Sequence, residues 1–160
     1  MPENFKPGLG GGDLGFTDLF GGKRTPKTHS RIKLNALVDE LCALLGLLKT
    51  GIKDRKTKEE LSAAQAALIR AAGMIAGMKG TLKTETAALK ALIDTRAERL
   101  KPPKKFILPG ANETEALTHL IRAKTRVCEI LAWGIKAKAP AVYLNRLSDY
   151  LFLVALKNAR

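Results

Sequence analysis

The chain has 160 residues, of which 46% are hydrophobic and 27% charged, and its formal net charge is +13 at pH 7. These values are ordinary for one soluble globular domain that buries its own core, and they exclude a small domain that depends on disulfide bonds. The positive charge favours an anionic partner, which is a nucleic acid, a nucleotide or a membrane surface, unless it serves solubility alone.

The first segment, 1–31, shows little apolar periodicity and holds half of the chain's 14 glycines. From Ile32 onward, apolar residues recur at spacings of three and four, as in amphipathic helices. The pattern predicts helices over 32–48, 57–78 and 82–100, a fourth from a cap at Asn112 or Thr114 to about 136, and a fifth from Pro140. The prolines within 101–110 exclude a helix there, so these residues form a crossover. We therefore predict an all-α five-helix bundle in a single domain, 1–160, with a Gly-rich segment (1–31) before the helical part (32–160).

The stretch GGGDLGFTDLFGGKR, Gly10 to Arg24, indicates a phosphate-binding loop, because glycine lets backbone N–H groups approach an anion closely. No strand is predicted before these glycines and no helix directly after them, so a dinucleotide-binding fold is excluded. What remains is a flexible loop with four cations within reach of a polyanion, namely Lys23, Arg24, Lys27 and Arg31. A disordered basic tail explains the same residues equally well.

Two of the predicted helices carry polar stripes. The stripe on the fourth helix consists of His119, Arg122, Arg126 and Glu129. Two arginines on one face can clamp phosphates, although a solvated helix face has the same pattern. On the fifth helix, Asn145 and Asp149 place an amide beside a carboxylate, with Ser148 next to them. This set suits a ribose or a base edge, and capping or contacts between helices are the other interpretation.

The two cysteines, Cys42 and Cys128, lie far apart and match no metal or redox spacing, so we expect two buried thiols in a reducing compartment. Two histidines and two isolated cysteines assemble neither a zinc site nor a nucleophile–histidine pair. We therefore predict no metal site made of protein side chains. The longest apolar run is too short to cross a bilayer and the N-terminus lacks a secretory signal, so we expect a cytoplasmic protein without membrane contact.

Three stretches together resemble the propanediol-utilisation type of ATP:cob(I)alamin adenosyltransferase. They are GDLGFT…GGKRTPK…VDEL (12–41), FILPG…HLIRAKTRVCE (106–129) and YLNRLSDYLF (143–152). The third stretch is highly specific by itself, and the three in this order cover nearly the whole chain. The resemblance implies five-helix bundles that assemble as a homotrimer, with active sites between subunits.

The activity that the resemblance implies is transfer of the 5′-deoxyadenosyl group of ATP to the cobalt of cob(I)alamin, with release of triphosphate. ATP and cobalamin are then the substrates, and Mg²⁺ accompanies the triphosphate. The implied protein partners are a flavin reductase and an adenosylcobalamin-dependent enzyme. Neither a nucleic acid nor a membrane is implied.

The resemblance also assigns roles to single residues. The residues that it implies for nucleotide binding are Gly10, Gly11, Gly12, Thr17, Lys27, Arg126, Val127, Cys128, Glu129, Ile130 and Asn145. Asp39 and Arg122 are implied as an ion pair between subunits, and Phe106 as the aromatic that displaces the lower axial ligand of cobalamin. Phe106, Arg126 and Lys27 are therefore the implied catalytic residues.

The chain departs from the family pattern at several of these positions. The family's K-T-G-D is GGGD here (10–13), its R-R-A-E-R is RVCEI (126–130), and Cys42 replaces the Asn after D-E-L. A charged phosphate contact is worth about 1.5–3 kcal/mol, so these changes leave an alternative open. This alternative is a catalytically weakened relative that binds ATP or cobalamin as a carrier or sensor. A basic bundle that binds nucleic acid is a third hypothesis, which rests on charge alone.

Overall fold

The structure of the chain is a computed structural model, and it describes residues 10–101 and 103–159. The part of the predicted Gly-rich segment before Gly10, and Pro102 of the predicted crossover, lie outside the described residues. The helices are α1 Ser30–Gly51, α2 Arg55–Ile75, α3 Lys83–Ala97, α4 Glu113–Gly134 and α5 Lys138–Asn158. The prediction of five helices is confirmed, and their boundaries differ from the predicted ones by at most three residues.

Two short strands precede the helices, and the sequence patterns did not predict them. The strands β1 Phe16–Asp18 and β2 Arg24–Pro26 pair antiparallel, with Thr17 opposite Thr25. The turn between them contains Gly21 and Gly22 at φ values of 86° and 77°, which glycine adopts without steric cost. The all-α prediction is therefore wrong for 16–26, since strands of three residues are too short to show alternation.

Side-chain caps and one backbone conformation set the helix boundaries. Asp54 Oδ2 accepts the N–H of Thr57 at 3.3 Å, so α2 begins before the predicted position 57. Asn112 Oδ1 accepts the N–H of Glu115 at 2.9 Å, which confirms the predicted cap of the fourth helix. Lys136 has φ 58°, and α4 therefore ends two residues before the predicted end.

The core lies between α1, α2, α4 and α5, and α3 packs on α5. The predicted apolar seam of α5 is confirmed, since Leu144, Leu147, Leu151 and Val154 are all 0% exposed. Within the described ranges, none of the helices combines the length and the apolar character that a membrane span requires.

A buried polar network fixes α3 against the rest of the bundle. The guanidinium of Arg96 pairs with the carboxylate of Glu60, and these side chains are 12% and 8% exposed. Tyr150 Oη donates to Glu60 Oε2 at 2.8 Å, and Arg96 Nη2 donates to Thr57 Oγ1 at 2.8 Å. Burial, reinforced by Glu60, raises the pKa of Tyr150, so its phenol remains a donor. The network thus joins α2, α3 and α5.

The bundle has two ends that carry different parts of the candidate site. At one end, which we call the hairpin end, the N–H of Phe20 donates to the carbonyl of Ala76 at 3.1 Å and so places the β1–β2 hairpin against the end of α2. At the other, the crossover end, Asn112 Nδ2 donates to the carbonyl of Asn158 at 2.6 Å. Because α1 and α4 have 22 residues each, about 33 Å separates the two ends.

Candidate functional site

The glycine stretch forms two tight turns directly before the hairpin. The N–H of Asp13 donates to the carbonyl of Gly10 at 3.1 Å, and the N–H of Gly15 donates to the carbonyl of Gly12 at 3.1 Å. The N–H of Lys27 then donates to the carbonyl of Gly15 at 2.8 Å, which joins the end of the hairpin to the turns. The predicted loop is therefore a folded turn.

The ammonium of Lys27 lies against this turn. A Cβ built on Gly12 would stand 2.6 Å from Lys27 Nζ and 2.9 Å from Lys27 Cε, closer than real Cβ contacts occur. Only a residue without a side chain leaves room for the ammonium in this position. Glycine turns and a lysine ammonium are groups with which proteins bind polyphosphates, so Lys27 and residues 10–12 are together the candidate surface for an anion.

Arg24 braces the glycine turn, although its sequence position indicated a free cation. Its guanidinium donates to the carbonyl of Gly11 and lies 3.6 Å from the carboxylate of Asp18. Thr17 is half-buried on β1, and its partner Thr25 is 4% exposed and donates to the carbonyl of Lys23 at 3.0 Å. No signal in the sequence singled out Thr25.

The α4 segment 126–130 presents both exposed and buried residues. Arg126 is exposed, and so are Val127 and Ile130, at 50% and 62% of their surface. Glu129 is half-buried, and its Oε1 accepts the indole N–H of Trp133 at 3.2 Å. The segment therefore offers a guanidinium beside apolar side chains on the outside of the bundle.

Cys128 belongs to the buried side of the same segment. It is 1% exposed, and burial raises the pKa of its thiol to about 11, so the thiol is neutral. The prediction of a buried thiol is confirmed for Cys128 and wrong for Cys42, which is only half-buried because it lies at the edge between α1 and α2. Cys128 therefore offers a nucleotide no exposed side chain.

On α5, Asn145 is half-buried and its carbonyl accepts the hydroxyl of Ser148 at 2.8 Å. Asp149 is paired with Arg146 on the same helix at 2.7 Å. The carboxylate that the sequence placed beside Asn145 thus already has a partner, which leaves the amide of Asn145 as the candidate for a ligand.

The predicted ion pair of Asp39 and Arg122 does not form among the described residues of one chain. Asp39 is exposed on α1, and Arg122 is half-buried and donates from Nε to His119 Nδ1 at 3.3 Å. His119 is only 5% exposed and faces Glu115, which the sequence analysis had missed. The interpretation of this stripe as a solvated face is therefore wrong for His119, whose burial agrees instead with a structural histidine. The pairing of Asp39 with Arg122 between subunits stays a prediction.

Phe106 lies in the crossover between α3 and α4, and its side chain is fully exposed at 104%. Leu108, two residues later, is 88% exposed. Phe106 thus has no place in the core of its own chain. Its exposure favours contact with a ligand or with another subunit.

The candidate residues are spread along the bundle. Lys27 and the glycine turn lie at the hairpin end, and Phe106 lies in the loop that enters α4 at the crossover end, whereas helices of 22 residues, about 33 Å long, connect the two ends. Arg126 occupies α4 between them, eight residues or about 12 Å from the hairpin end. Their positions at opposite ends of the bundle are compatible with a site that draws on more than one chain.

Comparison with known proteins identifies a family. The family model described as cobalamin adenosyltransferase matches residues 9–158. A corrinoid adenosyltransferase of Citrobacter freundii is 34% identical over 158 residues, which cover 90% of this chain and 89% of that protein. The corrinoid adenosyltransferase MMAB of Mus musculus is 32% identical over 90% of this chain and 68% of its own length. The chain spans about half the length of the matched PduO proteins, 47% in Citrobacter freundii.

Solved structures share the fold. A PduO-type ATP:corrinoid adenosyltransferase of Lactobacillus reuteri, a phenylalanine-to-histidine variant complexed with cobalamin and ATP, superposes with a TM-score of 0.89. Its sequence is 26% identical, and the match covers 96% of this chain and 91% of that one. An arginine-to-lysine variant complexed with ATP gives a TM-score of 0.85 at 27% identity, over 93% of this chain and 91% of that chain.

Proposed function

The chain belongs to the cobalamin adenosyltransferase family, and we propose that it transfers the 5′-deoxyadenosyl group of ATP to the cobalt of cob(I)alamin, giving adenosylcobalamin and triphosphate. The observation that carries this function is the extent of the match, which runs from residue 9 to residue 158. It includes the turn that holds Lys27, the crossover with Phe106 and the helix with Asn145. The matched segment thus includes every candidate site residue that the structure describes.

The reaction needs positioning and charge stabilisation more than proton transfer. The cobalt(I) electron pair attacks C5′ of the ribose, a Co–C bond forms, and the C5′–O bond to the triphosphate breaks. Negative charge develops on the departing oxygen, and the reacting carbon neither loses nor gains a proton. Lys27 and the backbone N–H groups of the glycine turn are suited to hold that charge, and Arg126 adds a guanidinium.

For the nucleotide, we propose contacts with the glycine turn (10–12), Thr17, Lys27, the exposed residues of 126–130 and Asn145. The described residues include no group of three or more His, Cys, Asp and Glu that could hold a metal ion. They therefore do not form a cage for Mg²⁺, and any Mg²⁺ that accompanies ATP is bound mainly by phosphate oxygens and water. We assign no step of the reaction to it.

For the corrinoid, we propose that Phe106 lies against the lower face of the corrin ring and excludes the axial ligand there. Its complete exposure supports this role, since an exposed phenyl ring on the crossover is available to a large flat ligand. A cobalt(II) that has lost its axial ligands accepts an electron more easily. A reductase that delivers this electron, an enzyme that receives adenosylcobalamin and a cytoplasmic location stay predictions.

We further propose a homotrimer with the site between subunits. Several apolar side chains on the outside of α1 and α4 are exposed, and they are Leu47, Leu120, Val127, Ile130, Leu131 and Trp133. Burial of such side chains between copies of the chain is favourable by about 25 cal/mol per Å². Asp39 and Arg122 lie on the same two helices and would meet across that contact. The separation of Lys27 from Phe106 within one chain is then explained.

The experiment that tests the function combines the purified protein, ATP and chemically reduced cob(I)alamin. We expect the absorption spectrum to change to that of adenosylcobalamin, with one triphosphate released for each molecule formed. Binding of ATP and cobalamin without any product would refute the transferase and favour the carrier or sensor. Binding of neither substrate would exclude both functions.

A further inference from the structure

A buried carboxylate holds the end of the crossover to α4. Glu115 is 1% exposed, and its Oε2 accepts the N–H of Gly110 at 2.8 Å and the N–H of Ala111 at 3.1 Å. The side chain of Asn112 already caps the helix. Glu115 therefore reaches back beyond the cap into the loop, whereas a glutamate at this position of a capping box binds the cap residue itself.

These two bonds attach the loop that carries Phe106 to α4. Residues 103–111 make two hydrogen bonds to a helix in the structure. In both, a backbone N–H of the loop donates to Glu115. Phe106 lies four residues before Gly110 and has no packing contact of its own, because it is fully exposed. The position of its ring thus depends on how the loop is anchored.

His119 completes the arrangement one turn along α4. Its Nε2 lies 3.1 Å from Glu115 Oε1. Apart from this contact, neither of the two buried atoms has a hydrogen-bond partner among the described residues. Its Nδ1 accepts from Arg122 Nε at 3.3 Å, and its ring meets the edge of Phe152 at a centroid distance of 6.2 Å. A neutral imidazole that donates from Nε2 and accepts at Nδ1 satisfies both neighbours.

A carboxylate this deeply buried is costly unless it is fully paired, so its presence calls for a role. We propose that Glu115, supported by His119, is a positioning residue of the adenosyl transfer, which holds the crossover so that Phe106 lies against the corrin ring. The inference rests on the proposed function, because it assigns the role through Phe106. Glu115 itself touches neither substrate.

A double-mutant cycle tests whether Glu115 acts through Phe106. Wild type, Phe106→Ala, Glu115→Ala and the double variant are compared for the yield of four-coordinate cob(II)alamin with ATP present. We expect Glu115→Ala to lower this yield about tenfold and to add almost nothing to Phe106→Ala. A wild-type yield in Glu115→Ala, or losses that multiply in the double variant, would overturn the proposal.

Transfer to cob(I)alamin separates positioning from a loss of fold. Cob(I)alamin has no lower axial ligand to displace, so Glu115→Ala should keep its kcat with cob(I)alamin and its KM for ATP within about threefold of wild type. Equal losses with cob(I)alamin and with cob(II)alamin plus reductant would contradict a positioning role. If the wild type itself transfers nothing to cob(I)alamin, the proposed function is wrong, and the inference about Glu115 is lost with it.

Backbone amide hydrogen exchange gives a readout that does not depend on activity. Glu115→Ala should speed exchange at Gly110 and Ala111 by about tenfold or more, because each N–H loses its acceptor. The control is Glu113→Ala, an exposed glutamate in the same first turn, which should change neither amide. If Glu115→Ala does not fold, Glu115→Leu, which nearly keeps the side-chain volume and has no acceptor oxygen, takes its place. Unchanged exchange and unchanged cob(II)alamin yield in the variant used would refute the role.

Discussion

Lys27 and Gly12 lie so close that a Cβ on Gly12 would stand only 2.6 Å from the Lys27 ammonium nitrogen. Gly12 and Lys27 are fifteen residues apart in the sequence, and the pairing of β1 with β2 brings them together. This contact places a cation on the backbone of the glycine turn, where a triphosphate would lie.

Gly12→Ala should weaken ATP binding without weakening the fold. The flexible Lys27 side chain can move away from a new Cβ at little cost, but its ammonium then leaves the turn. We expect the Kd for ATP to rise about tenfold, which corresponds to about 1.4 kcal/mol, with an unchanged Tm. Gly134→Ala is the control, since a Cβ there meets open space. Titration calorimetry that gives equal Kd values for both variants would contradict the role of this contact.

Val127→Arg should strengthen ATP binding. Val127 is 50% exposed beside Arg126, so an arginine fits there without entering the core. A second guanidinium on the face that we assign to the nucleotide should lower the Kd about tenfold. Lys33→Ala, on the exposed side of α1, serves as a charge-changing control. No gain in affinity, or the same change in both variants, would place the nucleotide elsewhere.

Glu60→Ala should destabilise the protein strongly. The substitution leaves the guanidinium of Arg96 buried without its carboxylate, and it removes the acceptor of Tyr150. We expect a loss of about 3–5 kcal/mol in the free energy of unfolding by urea. The control is Glu59→Ala, which breaks the exposed pair with Arg55 and should cost at most about 0.5 kcal/mol. Similar losses in the two variants would show that the network is not the cause.

Stability should fall on mild acidification because of His119. Burial lowers the pKa of His119, with Glu115 opposing the shift and Arg122 reinforcing it. The unfolded chain then binds this proton more readily than the folded chain, so the free energy of unfolding falls as the pH drops through the unfolded pKa of about 6.5. Between about pH 7.5 and about pH 5.5, wild type should lose more stability than His119→Phe. Parallel urea profiles for the two proteins would contradict this assignment.

Apolar periodicity was sufficient to predict the five helices and the seam of α5, because burial of one helix face repeats every three or four residues. The β1–β2 hairpin escaped prediction, since strands of three residues carry no pattern and are held by the contact of Phe20 with the end of α2. The sequence also could not show that Arg24 binds the carbonyl of Gly11, because that contact exists only after the hairpin has formed.

The role of Glu115 could be predicted only in part from the local sequence. The spacing Asn112-x-x-Glu115 is that of a capping box, so the sequence could have indicated a role for Glu115 at the start of α4. Its bonds to Gly110 and Ala111 and its contact with His119 depend on the path of the crossover, which no periodicity specifies. Phe106, for which we propose a contact with the corrin ring, is exposed in the single chain, so burial gives no information on its partner.

We propose an adenosyl-transfer site that needs Lys27 from one chain and Phe106 from another. Mixing of subunits tests this composite site most directly. Chains with Lys27→Ala and chains with Phe106→Ala, carrying different tags, are expressed separately and together, and transfer from ATP to cob(II)alamin is measured with a reductant present. In a random mixture, about one site in four combines an intact Lys27 with an intact Phe106 from its neighbour, so about a quarter of wild-type activity should return. If the mixed assemblies are no more active than the two variants alone, both residues act within one chain, and the composite site is refuted.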